Sequence, residues 1–209
     1  MKRAEKQEVY RLLFEQYEDA GPELNFGSDF QLLIAVILSA QATDKRVNIV
    51  TEELFRVAPD APSLAALPLE DIQEIIKTVG IYVNKSKYIK ETARRIVENF
   101  GGKVPQTREE LMTLPGCSRK TANVVLSVAF GIPAIAVDTH VFRLSNRIGI
   151  AKGKDVFAVE QGLMKAFPKE QWYKLHHMLI LHGRRVCKAQ KPDCSNCRLN
   201  THCDYFRKV

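Results

Sequence analysis

Apolar positions recur along this chain with the period of an α-helix. Within 84–100, Ile89, Ala93, Ile96, Val97 and Phe100 fall at i, i+4, i+7, i+8 and i+11, on one helical face. Ala122, Val125, Leu126, Ala129 and Phe130 repeat that stripe over 118–130, and Val156, Val159, Leu163 and Phe167 repeat it over 155–167. Residues 29–40 are apolar almost all round, which predicts a helix buried inside a bundle. The first 19 residues form an amphipathic pattern, and shorter helical patterns cover 107–113 and 139–148. Asp29, Asn84 and Asp138 are the expected N-caps, since a short polar side chain there accepts from the first free N–H groups. No alternating run bounded by hairpin turns occurs, and Ala134–Val137 is extended at most. The pattern predicts an all-α protein with short loops.

Composition narrows this picture. With 45% hydrophobic and 26% charged residues among 209, the chain is expected to fold around a proper core and not to be disordered. Its longest aliphatic run, Leu32–Leu38, covers 7 residues, too few to span a bilayer. The N-terminal stretch lacks the apolar centre of an export signal, so a soluble, cytoplasmic protein (nucleoid-associated, if bacterial) is expected. Lys and Arg number 31 against 24 Asp and Glu, a net charge of +7 that favours a polyanionic partner.

Much of that excess lies at the end of the chain. From Arg184 onward, Arg184, Arg185, Lys188, Lys191, Arg198, Arg207 and Lys208 face only Asp193 and Asp204. This tail is too poor in aliphatic residues to fold unaided. Cys187, Cys194, Cys197 and Cys203, spaced C-x6-C-x2-C-x5-C, are the evident aid. A disulfide scaffold does not suit a chain with no export signal and a core of this size. Four thiolates hold either zinc or a [4Fe–4S] cluster, and the spacing alone leaves both open. His176, His177, His182 and His202 are then bystanders, because four cysteines complete a closed site. Cys117 stands alone, a small hydrophobe at a turn.

That turn is Leu114-Pro115-Gly116-Cys117-Ser118-Arg119-Lys120-Thr121-Ala122, between two helical patterns. A tight turn running into a helix start leaves main-chain N–H groups pointing outward, which binds a phosphate without reading any base. The plainer reading is a helix-to-helix connection. Lys120 neutralises a phosphate or serves as a nucleophile; a helix N-terminus and Arg119 beside it both favour the neutral amine that nucleophilic attack needs. Asp138 follows Ile135-Ala136-Val137 and caps the next helix, where a carboxylate stays ionised. By itself Ile81 reads as core and Gln41 as a helix-end residue.

The segment L-P-G-x-x-R-K-T-A-N-V-V-L at 114–126 resembles the helix-hairpin-helix of the endonuclease III family of DNA repair glycosylases. Ala136-Val137-Asp138-Thr139-His140-Val141-Phe142-Arg143 is similar to the family's V-D-T-H segment, and Leu38-Ser39-Ala40-Gln41-Ala42-Thr43-Asp44 to its N-terminal signature. The terminal cysteines match its iron–sulfur loop. The resemblance implies a two-domain, all-α helix-hairpin-helix glycosylase fold. A helical domain over 22–132 would carry the hairpin, and 1–21 with 133–209 would form the cluster domain, its cluster loop at 187–203. It implies a [4Fe–4S] cluster on Cys187, Cys194, Cys197 and Cys203, with Lys120 as nucleophile and Asp138 as catalytic carboxylate.

DNA contacts would fall to Gln41, Ile81, Gly116, Ser118, Arg119, His140, Arg143, Arg184 and Lys191, with Gln41 as plug and Ile81 as wedge in the flipped duplex. The activity implied is that of a DNA glycosylase and AP lyase acting as a monomer on double-stranded DNA with oxidised pyrimidines or abasic sites. Where the family usually carries valine and glycine, this chain has Cys117 and Ser118, and Ser118 is expected to cap the following helix. Two rival readings are the related adenine-mismatch glycosylase and a non-catalytic iron–sulfur DNA-binding module. Lys120 and the end of the sequence at Val209 disfavour the first; the pairing of Lys120 with Asp138 disfavours the second.

Overall fold

The computed structural model describes residues 1–208, and among them the chain forms eleven α-helices, two single turns of 3-10 helix and no strand. The all-α expectation holds. Two compact units divide the chain: residues 1–22 with everything from 133 onward, and residues 23–132. Helix α1 (Arg3–Gln16) belongs to the first of these.

The 23–132 unit is built round α2 (Asp29–Leu38), whose residues Leu32–Leu38 are all buried, as an all-round apolar segment requires. Its cap is Ser28, not Asp29: the Ser28 hydroxyl accepts from the Gln31 N–H at 3.2 Å. Asp29 is the first helical residue and takes the adjacent Phe30 N–H at 2.8 Å. Helices α3 (Asp44–Val57), α4 (Ala61–Ala66) and α5 (Leu69–Ile76) follow, then α6 (Tyr82–Phe100), α7 (Arg108–Leu111) and α8 (Arg119–Ala129). Helix α2 packs on α3, α6 and α8, while α4 and α5 pack on α6. Leu33, Ile34, Leu54, Leu64, Ile72, Ile89 and Ile96 are fully enclosed between them. Each such side chain contributes ~1.5–3 kcal/mol by leaving water.

Helix α6 starts two residues before the expected Asn84 cap. Its N-cap is Ile81, whose carbonyl accepts from both the Asn84 and Lys85 N–H groups, with no side-chain cap at all. The apolar stripe of α6 also differs from expectation at one end: Ile89, Ala93 and Ile96 are buried, but Val97 lies at the surface. Val97 is one residue past Ile96, so the two point about 100° apart, and only one of them can face the core.

In the other unit, α9 (Thr139–Ile148), α10 (Val156–Ala166) and α11 (Lys169–Arg185) join α1. Helix α11 packs on α1, α9 and α10, and Leu13, Leu144, Leu163, Leu175 and Leu179 fill the space between. Val156, expected in the stripe of α10, is its first helical residue and is exposed. The His176 ring lies 2.9 Å from the Ala136 carbonyl and fixes the extended segment that feeds α9. Beyond α11 the tail has little regular structure apart from 3-10 turns at Asn200–His202 and Phe206–Lys208.

Candidate functional site

The turn between α7 and α8 is anchored from beneath. Thr92 and Arg95 of α6 donate to the carbonyls of Pro115 and Thr113 at 3.0 and 2.8 Å. Arg108 of α7 donates to the Asn123 side chain of α8 at 2.7 Å, tying the two arms together. Gly116 has φ +76°, and a Cβ placed on it would stand 2.9 Å from Ile37 Cγ2. Only glycine satisfies both the left-handed backbone and this close approach. Ser118 is the N-cap of α8, its hydroxyl accepting from the Thr121 N–H at 3.3 Å.

The main-chain N–H groups of Gly116, Ser118 and Lys120 have no partner among the described residues. Three free donors at the start of an eleven-residue helix form a cradle for a phosphate. Lys120 is the second residue of α8 and half-buried, beside an equally half-buried Arg119. Cys117 is enclosed under the turn, and burial pushes its thiol up to about 12, so it is an inert apolar filler.

Asp138 caps α9, its carboxylate accepting from the Val141 N–H at 2.7 Å. His140, two residues on, is half-buried; burial, with Arg143 and Arg184 nearby, holds its imidazole below the ordinary value against the pull of Asp138. Arg143 spends its donors inside the protein, on the Cys187 carbonyl (3.0 and 3.2 Å) and the Gly183 carbonyl (3.0 Å), with His140 at 3.1 Å. Arg184 is exposed at the end of α11.

Among the described residues, three that are not glycine have a left-handed backbone: Gln41 (φ 55°), Ile81 (φ 60°) and Lys191 (φ 48°). All three are exposed. Such a conformation costs on the order of 1 kcal/mol or more, most for a β-branched residue such as isoleucine, and residues held in it cluster at functional sites. The Gln41 and Ile81 loops are neighbours: a Cβ on Gly80 would lie 3.8 Å from the Gln41 carbonyl. Ile81 is 54% exposed, so it is not the core residue its local sequence suggested. These backbone angles leave no sequence signal, because no glycine or asparagine marks them.

Cys187, Cys194, Cys197 and Cys203 are all unpaired, half-buried thiols. They line one small cavity whose walls include Ile148, Val186, Leu199 and Phe206. No group of three or more His, Cys, Asp or Glu among the described residues is assembled to hold a single metal ion. Two residues that sequence reasoning passed over touch the thiols. Arg147 of α9 lies 3.6 Å from Cys187 Sγ and donates to the Lys188 and Ala189 carbonyls at 2.7 and 2.9 Å. His182 Nε2 is 3.4 Å from Cys197 Sγ, while its Nδ1 is 3.0 Å from the Tyr17 hydroxyl. His182, expected from the sequence to be a bystander, stands directly behind the Cys197 thiol. Burial, the neighbouring thiols adding to it, pushes Cys197 up to about 11.

Residues 34–169 match the model of the HhH-GPD superfamily base excision DNA repair proteins. Endonuclease III of Haemophilus influenzae is 48% identical over 209 residues, covering 100% of this chain and 99% of that protein. Endonuclease III of Bacillus subtilis is 50% identical over 190 residues, 90% of this chain and 87% of that protein. Among solved structures, a trapped endonuclease III–DNA covalent intermediate superposes with a TM-score of 0.94 at 44% identity, covering 100% of this chain and 98% of the other. A thermostable thymine-DNA glycosylase shares the fold at 22% identity with a TM-score of 0.89, covering 99% and 98%.

Proposed function

The chain belongs to the HhH-GPD superfamily of base excision DNA repair proteins and is a DNA glycosylase with AP lyase activity; from that premise we propose which of its residues perform the reaction and on what DNA. DNA is the partner. The lesions are oxidised pyrimidines and abasic sites, and the enzyme acts as a monomer in the cytoplasm. No helix among the described residues is long and apolar enough to cross a membrane.

The observation that carries the assignment is Lys120 in the first turn of α8, on a hairpin with three free N–H donors. The donors take a backbone phosphate, which fixes the sugar relative to the amine. Extruding the damaged nucleotide costs a few kcal/mol, less for a damaged base. The Lys120 amine attacks C1′, the N-glycosidic bond breaks, and the base leaves with its electron pair and takes a proton. The Asp138 carboxylate stabilises the positive charge that develops on the sugar and accepts the proton the amine sheds. The C1′–O4′ bond of the resulting aminal then opens, O4′ taking that proton, to give the imine, and loss of a C2′ proton from the imine expels the 3′ phosphate, cutting the strand by β-elimination.

Gln41 and Ile81 fill the space the extruded nucleotide vacates, the amide toward the orphaned base and the alkyl chain in the stack. The strain stored at both supports this role. Gly116, Ser118, Arg119, His140, Arg184 and Lys191 contact the backbone or the flipped nucleotide. Arg143 contributes by holding His140 and the start of the cysteine loop.

The four cysteines fit a [4Fe–4S] cluster. They converge on one cavity with apolar walls, all are free thiols, and Arg147 offers an N–H to a sulfur, as suits thiolates of an anionic cluster. When bound, the cluster supplies cross-links that hold the basic tail in place. The test is incubation with duplexes carrying one oxidised pyrimidine. Base release with strand cleavage supports the reading; binding without either product contradicts it.

A further inference from the structure

Lys85 is a charged residue the reaction does not use. It lies in the first turns of α6 and is only 4% exposed. Its ammonium group has no hydrogen-bond partner in the structure. Burial alone drives its value below that of an ordinary lysine. An enclosed, unpaired ammonium is among the costliest arrangements a core can contain, and proteins keep such groups where a second state uses them.

Direction and position say which part of the molecule that state involves. In an α-helix each Cα–Cβ bond tilts toward the N-terminus, so a side chain covers the turn before its own. The turn before Lys85 holds Ile81, four residues away on the same face and joined to it by the Lys85 N–H, which donates to the Ile81 carbonyl at 3.1 Å. That tilt directs the Lys85 stem toward the 78–82 loop, whose Gly80 lies beside the Gln41 carbonyl. We propose that Lys85 is the latch of these two loops: when DNA is bound, main-chain carbonyls of the 78–82 loop turn to the Lys85 ammonium and hold Ile81 in the duplex. A group unpaired in one state and paired in the other shifts the balance between them by that difference. The latch rests on the wedge and plug roles proposed above for Ile81 and Gln41.

The test compares wild type, Lys85→Met, and Ile81→Ala on a duplex with a tetrahydrofuran abasic analogue beside 2-aminopurine, whose fluorescence rises when its stack is opened. Methionine keeps the length and apolar stem and removes the charge. Lys85→Met is expected to melt at or above the wild-type temperature and to bind undamaged duplex equally well. It is also expected to lose about tenfold in the opening equilibrium, which corresponds to ~1.4 kcal/mol. Cleavage at a true abasic site should slow by a similar factor in duplex and recover when the site lies in an unpaired bubble. Wild-type opening by Lys85→Met, or a defect that persists in the bubble, overturns the latch. If Ile81→Ala opens the stack normally, the wedge reading itself fails, and the latch with it.

Discussion

Replacing Gly116 by alanine tests whether the hairpin geometry is enforced by packing as well as by backbone. The left-handed φ of +76° costs an alanine ~1–2 kcal/mol. The new methyl would also meet Ile37 Cγ2 at 2.9 Å and Tyr88 Cβ and Cδ2 at 3.3 Å, both on helices of the same unit. Overpacking of that kind costs ~1–3 kcal/mol. Gly102 separates the two contributions, because it has φ +79° and nothing within 4 Å of its Cβ position. Gly102→Ala should therefore show the backbone cost alone. In urea unfolding with an m-value of ~2 kcal/mol/M, the midpoint of Gly116→Ala should fall ~0.5–1.5 M below that of Gly102→Ala. Coincident midpoints would refute the claim that Ile37 and Tyr88 confine the turn.

Four further outcomes are expected. Ser118→Ala removes the cap of α8 and should cost ~1 kcal/mol in the same unfolding assay, whereas Ser118→Gly should cost only a few tenths. Lys191→Gln should reduce the slope of log affinity against log salt by roughly 0.9, the value of one phosphate contact, measured by fluorescence anisotropy on undamaged duplex. Metal analysis should find iron and no zinc, and Cys194→Ser should lose iron and the order of the tail together. Burial, with His176 and Lys174 adjacent, holds His177 down at about 3 against an unperturbed 6.5. Its folded value lies below the unfolded one, so its contribution is complete above about 6.5 and falls as pH drops toward 3, at about 1.4 kcal/mol per pH unit. His177→Phe should flatten that acid slope in urea midpoints taken at pH 7, 6 and 5.

Periodicity located α2, α6, α8, α9 and α10 because each presents enough apolar residues on one face to fix its orientation. The caps Ser118 and Asp138 were legible for a related reason: each is a short polar residue immediately before an apolar stripe. At α6 the same logic misplaced the start, since Ile81 caps with its backbone and no side chain announces it. Helices α4 and α5 are short, 6 and 8 residues, and neither they nor α3 were resolved individually from the pattern. The left-handed angles of Gln41, Ile81 and Lys191 were invisible, because tertiary packing imposes them on residues that do not prefer them. For the same reason the sequence could suggest Arg143 as a DNA contact but not show that its Nε and Nη2 donate to the carbonyls of Cys187 and Gly183.

The central claim is that Lys120 forms the covalent bond to the sugar. Borohydride reduction of the enzyme with abasic-site DNA, followed by digestion and mass spectrometry of the cross-linked peptide, tests it most directly. The adduct is expected on the peptide that contains Lys120 and should be absent in Lys120→Ala, which still binds DNA. An adduct on another lysine, or one that survives Lys120→Ala, would contradict the account.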